Sequence, residues 1–206
     1  MPVITIPFGD FQANCHIVHN GRDAVVFDPA DDTAAVMKAL KDAGLELRAV
    51  ALTHLHIDHC LGCAGLAAAS GMKPLVGRAD WEDRRRLLCK GMTFGIPLEP
   101  FEAEPLDEGD VSWGSLACRV MATPGHSTGS MSYYFKDLGL VVTGDLLFYR
   151  SVGRSDFPGG DGDELKRSIR GKIYALPSDT AVYPGHGPET SVGYEAANNA
   201  FCRAAV

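Results

Sequence analysis

Four of the seven side chains in Thr53-His54-Leu55-His56-Ile57-Asp58-His59 are imidazoles or carboxylates able to ligate a metal. An apolar run at 49–52 leads into them and predicts a buried strand. In an extended chain His54 and His56 face the same way, whereas a helix would splay an i, i+2 pair. Asp58 and His59 are adjacent, so a turn leaving the strand must aim both at one point. The spacing predicts one ion on His54 and His56 and a second on Asp58 and His59. A divalent ion held this way makes water a nucleophile near neutral pH, lowering its pKa from about 15.7 to about 7. Hydrolysis is one chemistry such a site can supply.

Three later strands each run into a further ligand on a glycine-containing turn. The strand through Val120-Met121 meets Thr123-Pro124-Gly125-His126, Leu140-Val141-Val142 meets Thr143-Gly144-Asp145, and Ala181-Val182-Tyr183 meets Pro184-Gly185-His186-Gly187. With the first stretch these make five histidines and two aspartates, enough for two ions sharing a carboxylate. His16 and His19, on an early strand, have no comparable context and are left out. Cys60 and Cys63 form a C-x-x-C beside the motif. They read as small buried residues at a helix start, since no second cysteine pair completes a zinc site.

The elements that position these residues follow from periodicity and turn signals. Strands are predicted at 3–6, 15–18 and 24–27, with Asn20-Gly21 as a hairpin turn. A helix through Ala43 is capped at Asp31, Asp32 or Thr33 and stopped by Gly44. The metal-bearing strand, a small-residue helix to Ser70, a strand at 74–76 and a helix from 79 to 90 come next. An irregular connection is expected from 91 to 110. Strands at 116–121, 131–135 and 140–142, a helix at 163–175, a strand at 181–183 and a closing helix at 192–202 repeat the pattern. Strands followed by helices, twice over, imply an α/β chain with two mixed sheets packed together and helices outside.

Composition excludes several roles. The 206 residues suit one domain, 1–206, without a low-complexity linker. The net charge is −7, and the only basic cluster is Arg84-Arg85-Arg86, which argues against a nucleic-acid surface. No segment has the apolar length of a membrane span or a secretion signal, so a cytoplasmic location is expected. The six cysteines do not form a disulfide framework in a chain of this size.

Taken together, Thr53-x-His54-x-His56-x-Asp58-His59, His126, Asp145 and His186 resemble the ligand set of the metallo-β-lactamase superfamily, in order and over nearly the whole chain. The resemblance implies a four-layer αββα sandwich holding two divalent metals, zinc first and iron or manganese as alternatives. One metal would take His54, His56 and His126, the other Asp58, His59 and His186, with Asp145 bridging. Gly144-Asp145-Leu146-Leu147-Phe148, Gly153-Arg154-Ser155-Asp156-Phe157 and Pro184-Gly185-His186-Gly187-Pro188 are similar to the glyoxalase II branch. They come closest to its short bacterial type without a C-terminal helical domain. The branch implies hydrolysis of a small-molecule thioester such as S-D-lactoylglutathione by a metal-bridging hydroxide, with Asp58 orienting it. Arg154 falls where the longer enzymes place a basic residue for the glutathione carboxylate. Their glutathione-binding tyrosines are replaced by Asp156 and Pro188. A broader thioesterase or lactonase, a one-iron persulfide dioxygenase and a non-catalytic metal-binding module are the competing readings.

Overall fold

The computed structural model describes residues 1–93 and 95–204, with the side chains of 89–93 outside the described set. The first half runs β1 (Val3–Phe8), β2 (Ala13–His19), β3 (Asp23–Phe27), α1 (Thr33–Asp42), β4 (Glu46–Ala51), α2 (Ile57–Cys60) and α3 (Cys63–Ser70). It continues through β5 (Leu75–Gly77), α4 (Arg78–Glu82), α5 (Arg84–Thr93) and β6 (Glu104–Leu106). These six strands form one sheet in chain order, antiparallel from β1 to β3 and parallel from β3 to β6.

The second half runs β7 (Gly109–Trp113), β8 (Leu116–Ala122), β9 (Met131–Phe135), β10 (Leu140–Gly144), a two-strand ribbon β11 (Leu147–Phe148) and β12 (Ser151–Val152), and α6 (Gly162–Ser168). β13 (Ala181–Pro184), β14 (Thr190–Ser191) and α7 (Val192–Asn198) complete it. Its six-stranded sheet has the order β14-β13-β10-β9-β8-β7, and only the β10–β13 pair is parallel. Both sheets are mixed, as the alternation of strand and helix predicts.

Side-chain alternation builds the layers. In β3, Val25 and Phe27 enter the core between the sheets, where Tyr133, Phe135 and Val142 meet them from the other side. Ala24 and Val26 point outward onto Val36, Leu40 and Leu66 of α1 and α3. In the second sheet Val141 and Val182 point outward onto Leu165, Ile169 and Val192. The result is an α/β, four-layer αββα sandwich. Tyr133, fully buried, donates from its hydroxyl to the Leu52 carbonyl (2.7 Å), pinning the first site-bearing segment to the second sheet.

Several expectations change. The helix predicted at 79–90 is two helices, because Asp83 closes α4 with its N–H on the Ala79 carbonyl and accepts the Arg86 N–H (2.9 Å) to start the next turn. The connection at 91–110 holds the end of α5, β6 and the start of β7; residue 94 within it lies outside the described residues. The helix at 163–175 is α6, capped by the Asp161 carboxylate on the N–H groups of Asp163 and Glu164, followed by a π-helical turn at Ile169–Ile173. The closing helix ends at Asn198 rather than Cys202. Among the described residues no helix is long and apolar enough to cross a membrane.

Candidate metal centre

The seven predicted ligands converge at one edge of the paired sheets, but the first stretch arrives there differently from the expectation. His54 lies beyond the end of β4 in a bend, His56 keeps extended backbone (φ −85°, ψ 152°) as the N-cap of α2, and Asp58 and His59 sit on the single turn of that helix. The helical turn fixes Asp58 and His59 side by side next to His186, an arrangement a bare loop would reach only by chance. His126, Asp145 and His186 follow β8, β10 and β13, as expected.

Three groups of three possible ligands result among the described residues; two are made wholly of predicted ligands, and the third is Asp28 with His54 and His59. His54, His56 and His126 offer nitrogens mutually within 4.8 Å, as do the ligand atoms of Asp58, His59 and His186. His126 Nε2 stands 3.2 Å from His54 Nε2 and 2.8 Å from His56 Nδ1. Asp145 lies between these two groups: Oδ2 is 3.6 Å from His126 Nε2 and 3.5 Å from His186 Nε2, and Oδ1 is 3.5 Å from His59 Nε2. Asp58 Oδ2 is 3.4 Å from His186 Nε2 and 3.6 Å from His59 Nε2. Gly185 makes this approach possible, since a Cβ there would lie 2.2 Å from Asp145 Oδ1.

The outer nitrogens of these rings are already committed. His126 Nδ1 donates to the Arg154 carbonyl (2.7 Å), His186 Nδ1 to the Phe11 carbonyl (3.0 Å) and His59 Nδ1 to the Asp28 carboxylate (3.0 Å); none of these partners can donate in return. Thr53 gives its hydroxyl proton to Asp28 and therefore accepts from His54 Nδ1 (3.0 Å). Four Nε2 atoms are left facing one another, and His59 Nε2 and Asp145 Oδ1 are buried without any hydrogen-bond partner. Buried polar atoms are almost always paired, and outer-nitrogen bonds of this kind orient metal-ligating histidines. The residues fit a pair of cations.

Residues 8–186 match the profile of the metallo-beta-lactamase superfamily. The chain belongs to that superfamily. A probable metallo-hydrolase, YqgX of Bacillus subtilis, is 36% identical over 95% of both chains. The hydroxyacylglutathione hydrolase GloC of Haemophilus influenzae is 29% identical over 98% of both. Among solved structures, BLEG-1, a B3 metallo-beta-lactamase, superposes with a TM-score of 0.88 at 34% identity, covering 97% of this chain and 98% of that one. TTHA1623, in a di-iron-bound form, gives 0.86 at 34%, covering 97% of this chain and all of that one (100%). The protein is accordingly a superfamily hydrolase whose clustered histidines and aspartates fit a dinuclear site.

Three bracing residues of this superfamily member escaped the sequence reading. Asp28, at the end of β3, adopts a left-handed backbone (φ 50°), which costs a non-glycine residue roughly 1–3 kcal/mol. Its carboxylate holds Thr53 through both N–H and hydroxyl (2.7 Å each) as well as His59. Asp80 is fully buried and accepts from Leu55 N–H (2.9 Å), Ser127 hydroxyl (2.8 Å) and Gly129 N–H (2.6 Å), tying the His54–His56 bend to the His126 turn. His16, set aside on sequence, donates from Nε2 to the Pro184 carbonyl (2.9 Å), beside Asn14, whose amide donates to Pro184 and Gly187. β2 thus latches the His186 turn across both sheets. An acid at a strand end on the ligand side was a usable signal for Asp28; Asp80 and His16 had none. Cys60 and Cys63 are buried, with burial raising both thiol pKa values, and neither belongs to a ligand group, in keeping with the structural reading.

The charges predict a proton count. Complete burial pushes the His59 pKa down, but the carboxylates of Asp145, Asp28 and Asp58 override it and hold the imidazolium up to about 10. Ligation needs the neutral ring. Loading the metal-free protein at pH 8 is therefore expected to release about one proton from His59. Release should fade as the pH rises through that value. Calorimetric titrations in two buffers of different ionisation heat measure it; equal apparent enthalpies would contradict the assignment. By the same sign, the metal-free fold loses this histidine's stabilisation as pH rises from about 6.5 toward 10.

Proposed function

We propose that this superfamily member hydrolyses the thioester bond of a small molecule, with His54, His56 and His126 holding one divalent ion, Asp58, His59 and His186 a second, and Asp145 between them. The observation carrying the metal assignment is the set of four inward Nε2 atoms around an unpartnered Asp145 oxygen. Zinc is the first ion to test, with iron and manganese beside it, because mixed histidine and carboxylate sites accept all three. When bound, such a pair of ions supplies Lewis acidity and an acidified water.

The chain's own groups do the rest. Burial works to raise the Asp58 pKa, but His186 and His59 keep it below the usual carboxylate range. Asp58 therefore stays ionised at the cleft floor, where it accepts a hydrogen bond from the attacking water and aims it. The cleft above, about 480 Å³, is walled by Phe11, Ile57, Phe148, Val152 and Phe157, which exclude bulk water and strengthen every charge interaction inside. Arg154 lines the same wall and is the candidate substrate-binding residue.

What favours a thioester is that, among the described lining residues, no acidic side chain outside the ligand set stands ready to protonate a leaving group. Apart from the ligand set and Arg154, no titratable side chain lines the cleft among the described residues. A thiol, with a pKa near 8.5, departs as the thiolate without a proton donor; an amine does not. The likeness to a hydroxyacylglutathione hydrolase supports the same bond class. The test is a panel on metal-loaded protein: S-D-lactoylglutathione, acyl-coenzyme A, simple acyl thiols, a lactone and a β-lactam. Thioesters are expected to lead by more than about tenfold in kcat/KM. Preference for the lactone or β-lactam would replace this reading.

A further inference from the structure

Outside the candidate metal ligands, the cleft that would take the substrate has one cationic side chain on its described wall, and it is already engaged. Among the described lining residues, six (Phe11, Ile57, Leu87, Phe148, Val152 and Phe157) are apolar, five belong to the candidate ligand set, Ser151 is a neutral hydroxyl, and Arg154 is the one basic side chain outside that set. The Arg154 guanidinium presents Nε and Nη2 side by side to Asp156, at 2.7 Å to each carboxylate oxygen. This two-point fork is the geometry with which arginine would otherwise receive a substrate carboxylate. Its other contact is apolar: Cζ lies 4.0 Å from the centroid of the Phe157 ring, which in turn packs on His56 (centroids 5.3 Å apart). The main chain of Arg154 is also fixed, since its carbonyl accepts from His126. The guanidinium is thus anchored at both ends beside the ligand set, with a negative charge facing it.

We propose that the cleft selects thioesters whose thiol arm is uncharged and largely apolar, and that Asp156 sets this selection by neutralising Arg154. The proposal rests on the thioester reading above and sharpens it. An arm carrying carboxylates, as a glutathione arm does, would have to displace Asp156 or sit beside it, and like charges held close repel. An apolar arm meets five or six matching side chains and leaves the pair intact. Because both members are more than half exposed (59% and 67%), their pairing adds little to folding stability. Its consequence is where charge lies at the mouth of the site, and the pair can be broken without unfolding the protein.

The experiment holds the acyl group constant and changes the arm. D-lactoyl thioesters of glutathione and of N-acetylcysteamine are compared on metal-loaded wild type, Asp156→Asn, and the double variant Asp156→Asn/Arg154→Gln. Binding of S-hexylglutathione and of S-hexyl-N-acetylcysteamine is measured alongside by calorimetry. Wild type is expected to favour the neutral arm. In Asp156→Asn the glutathione-to-neutral ratio of kcat/KM, and the corresponding ratio of affinities, should rise about tenfold, the scale of one charge-assisted contact. The double variant should lose that gain. A wild type that handles the glutathione arm at least as well as the neutral one, or an Asp156→Asn variant with both ratios within about twofold of wild type, overturns the proposal. If neither thioester turned over, thioester hydrolysis would fail, while the two thioether affinities would still decide the charge selection.

Discussion

Asp145→Ala is expected to bind at most one divalent ion per chain and to lose hydrolysis by about a thousandfold or more, the upper scale for removing one preorganised charge from a reacting centre. The expectation follows from position. Asp145 alone stands within 3.6 Å of ligands from both groups, through Oδ2 to His126 and His186 and through Oδ1 to His59. Neither neighbouring carboxylate is placed to take over: Asp58 approaches His59 and His186, and Asp28, grouped with His54 and His59, is committed to Thr53 and the outer nitrogen of His59. Removing it leaves each group a separate three-ligand cluster with nothing to hold the ions together. The metal-free fold should lose the attraction that Asp145 gives the buried His59 imidazolium but no hydrogen bond of Oδ1, which makes none there. What should vanish is the stabilisation that saturating metal confers, about 4 kcal/mol at a thousand times Kd. Metal analysis of dialysed protein and melting curves with and without metal separate the two effects. A variant with two ions and near-native turnover would sink the shared-carboxylate assignment.

The second large effect is expected away from the ions. Asp80→Ala would leave the N–H groups of Leu55 and Gly129 and the hydroxyl of Ser127 without their acceptor in a buried region. Each such group costs about 1–3 kcal/mol when stranded, so a loss of about 3–5 kcal/mol is expected in the metal-free protein. The damage is directional as well. Leu55 lies between His54 and His56, and Ser127 adjoins His126, so one carboxylate registers all three nitrogens of the first cluster. Water will replace part of it, and Gly129 has no room for rearrangement: a Cβ there would already meet Asp80 N at 2.2 Å. The first ion should therefore bind more weakly, by about 10–100-fold, the range for losing an outer partner of ligands. Denaturant unfolding of the metal-free variant and a metal titration at each site read the two consequences. An unchanged unfolding midpoint would show that Asp80 braces nothing.

These two residues mark where sequence reading stops. Asp145 was legible because its signal is local: an apolar strand running into Thr143-Gly144-Asp145, matching the same grammar before His126 and His186. A buried strand must end somewhere, and the glycine turn that ends it exposes whatever side chain follows at the sheet edge. The ligand set, the mixed sheets and the αββα layering all follow from such short-range patterns of apolar period and turn chemistry. Asp80 carries no comparable mark. Its partners lie 25 and 49 residues away, and its value comes only from two loops being folded to within hydrogen-bond reach of it. Asn14 and His16 are more remote still, reaching Pro184 across 170 and 168 residues. The helical turn that aims Asp58 and His59 was also hidden, since four residues are too few to show a 3.6 period. Sequence alone thus determined which candidate ligands come together and that strand ends would present most of them. Only the tertiary structure decided which nitrogen of each ring faces inward and which acids hold the rings there. It also decided that Arg154 meets its own neighbour Asp156 at the cleft wall. Orientation depends on the far partner of every ligand, and far partners are set by packing rather than by spacing along the chain.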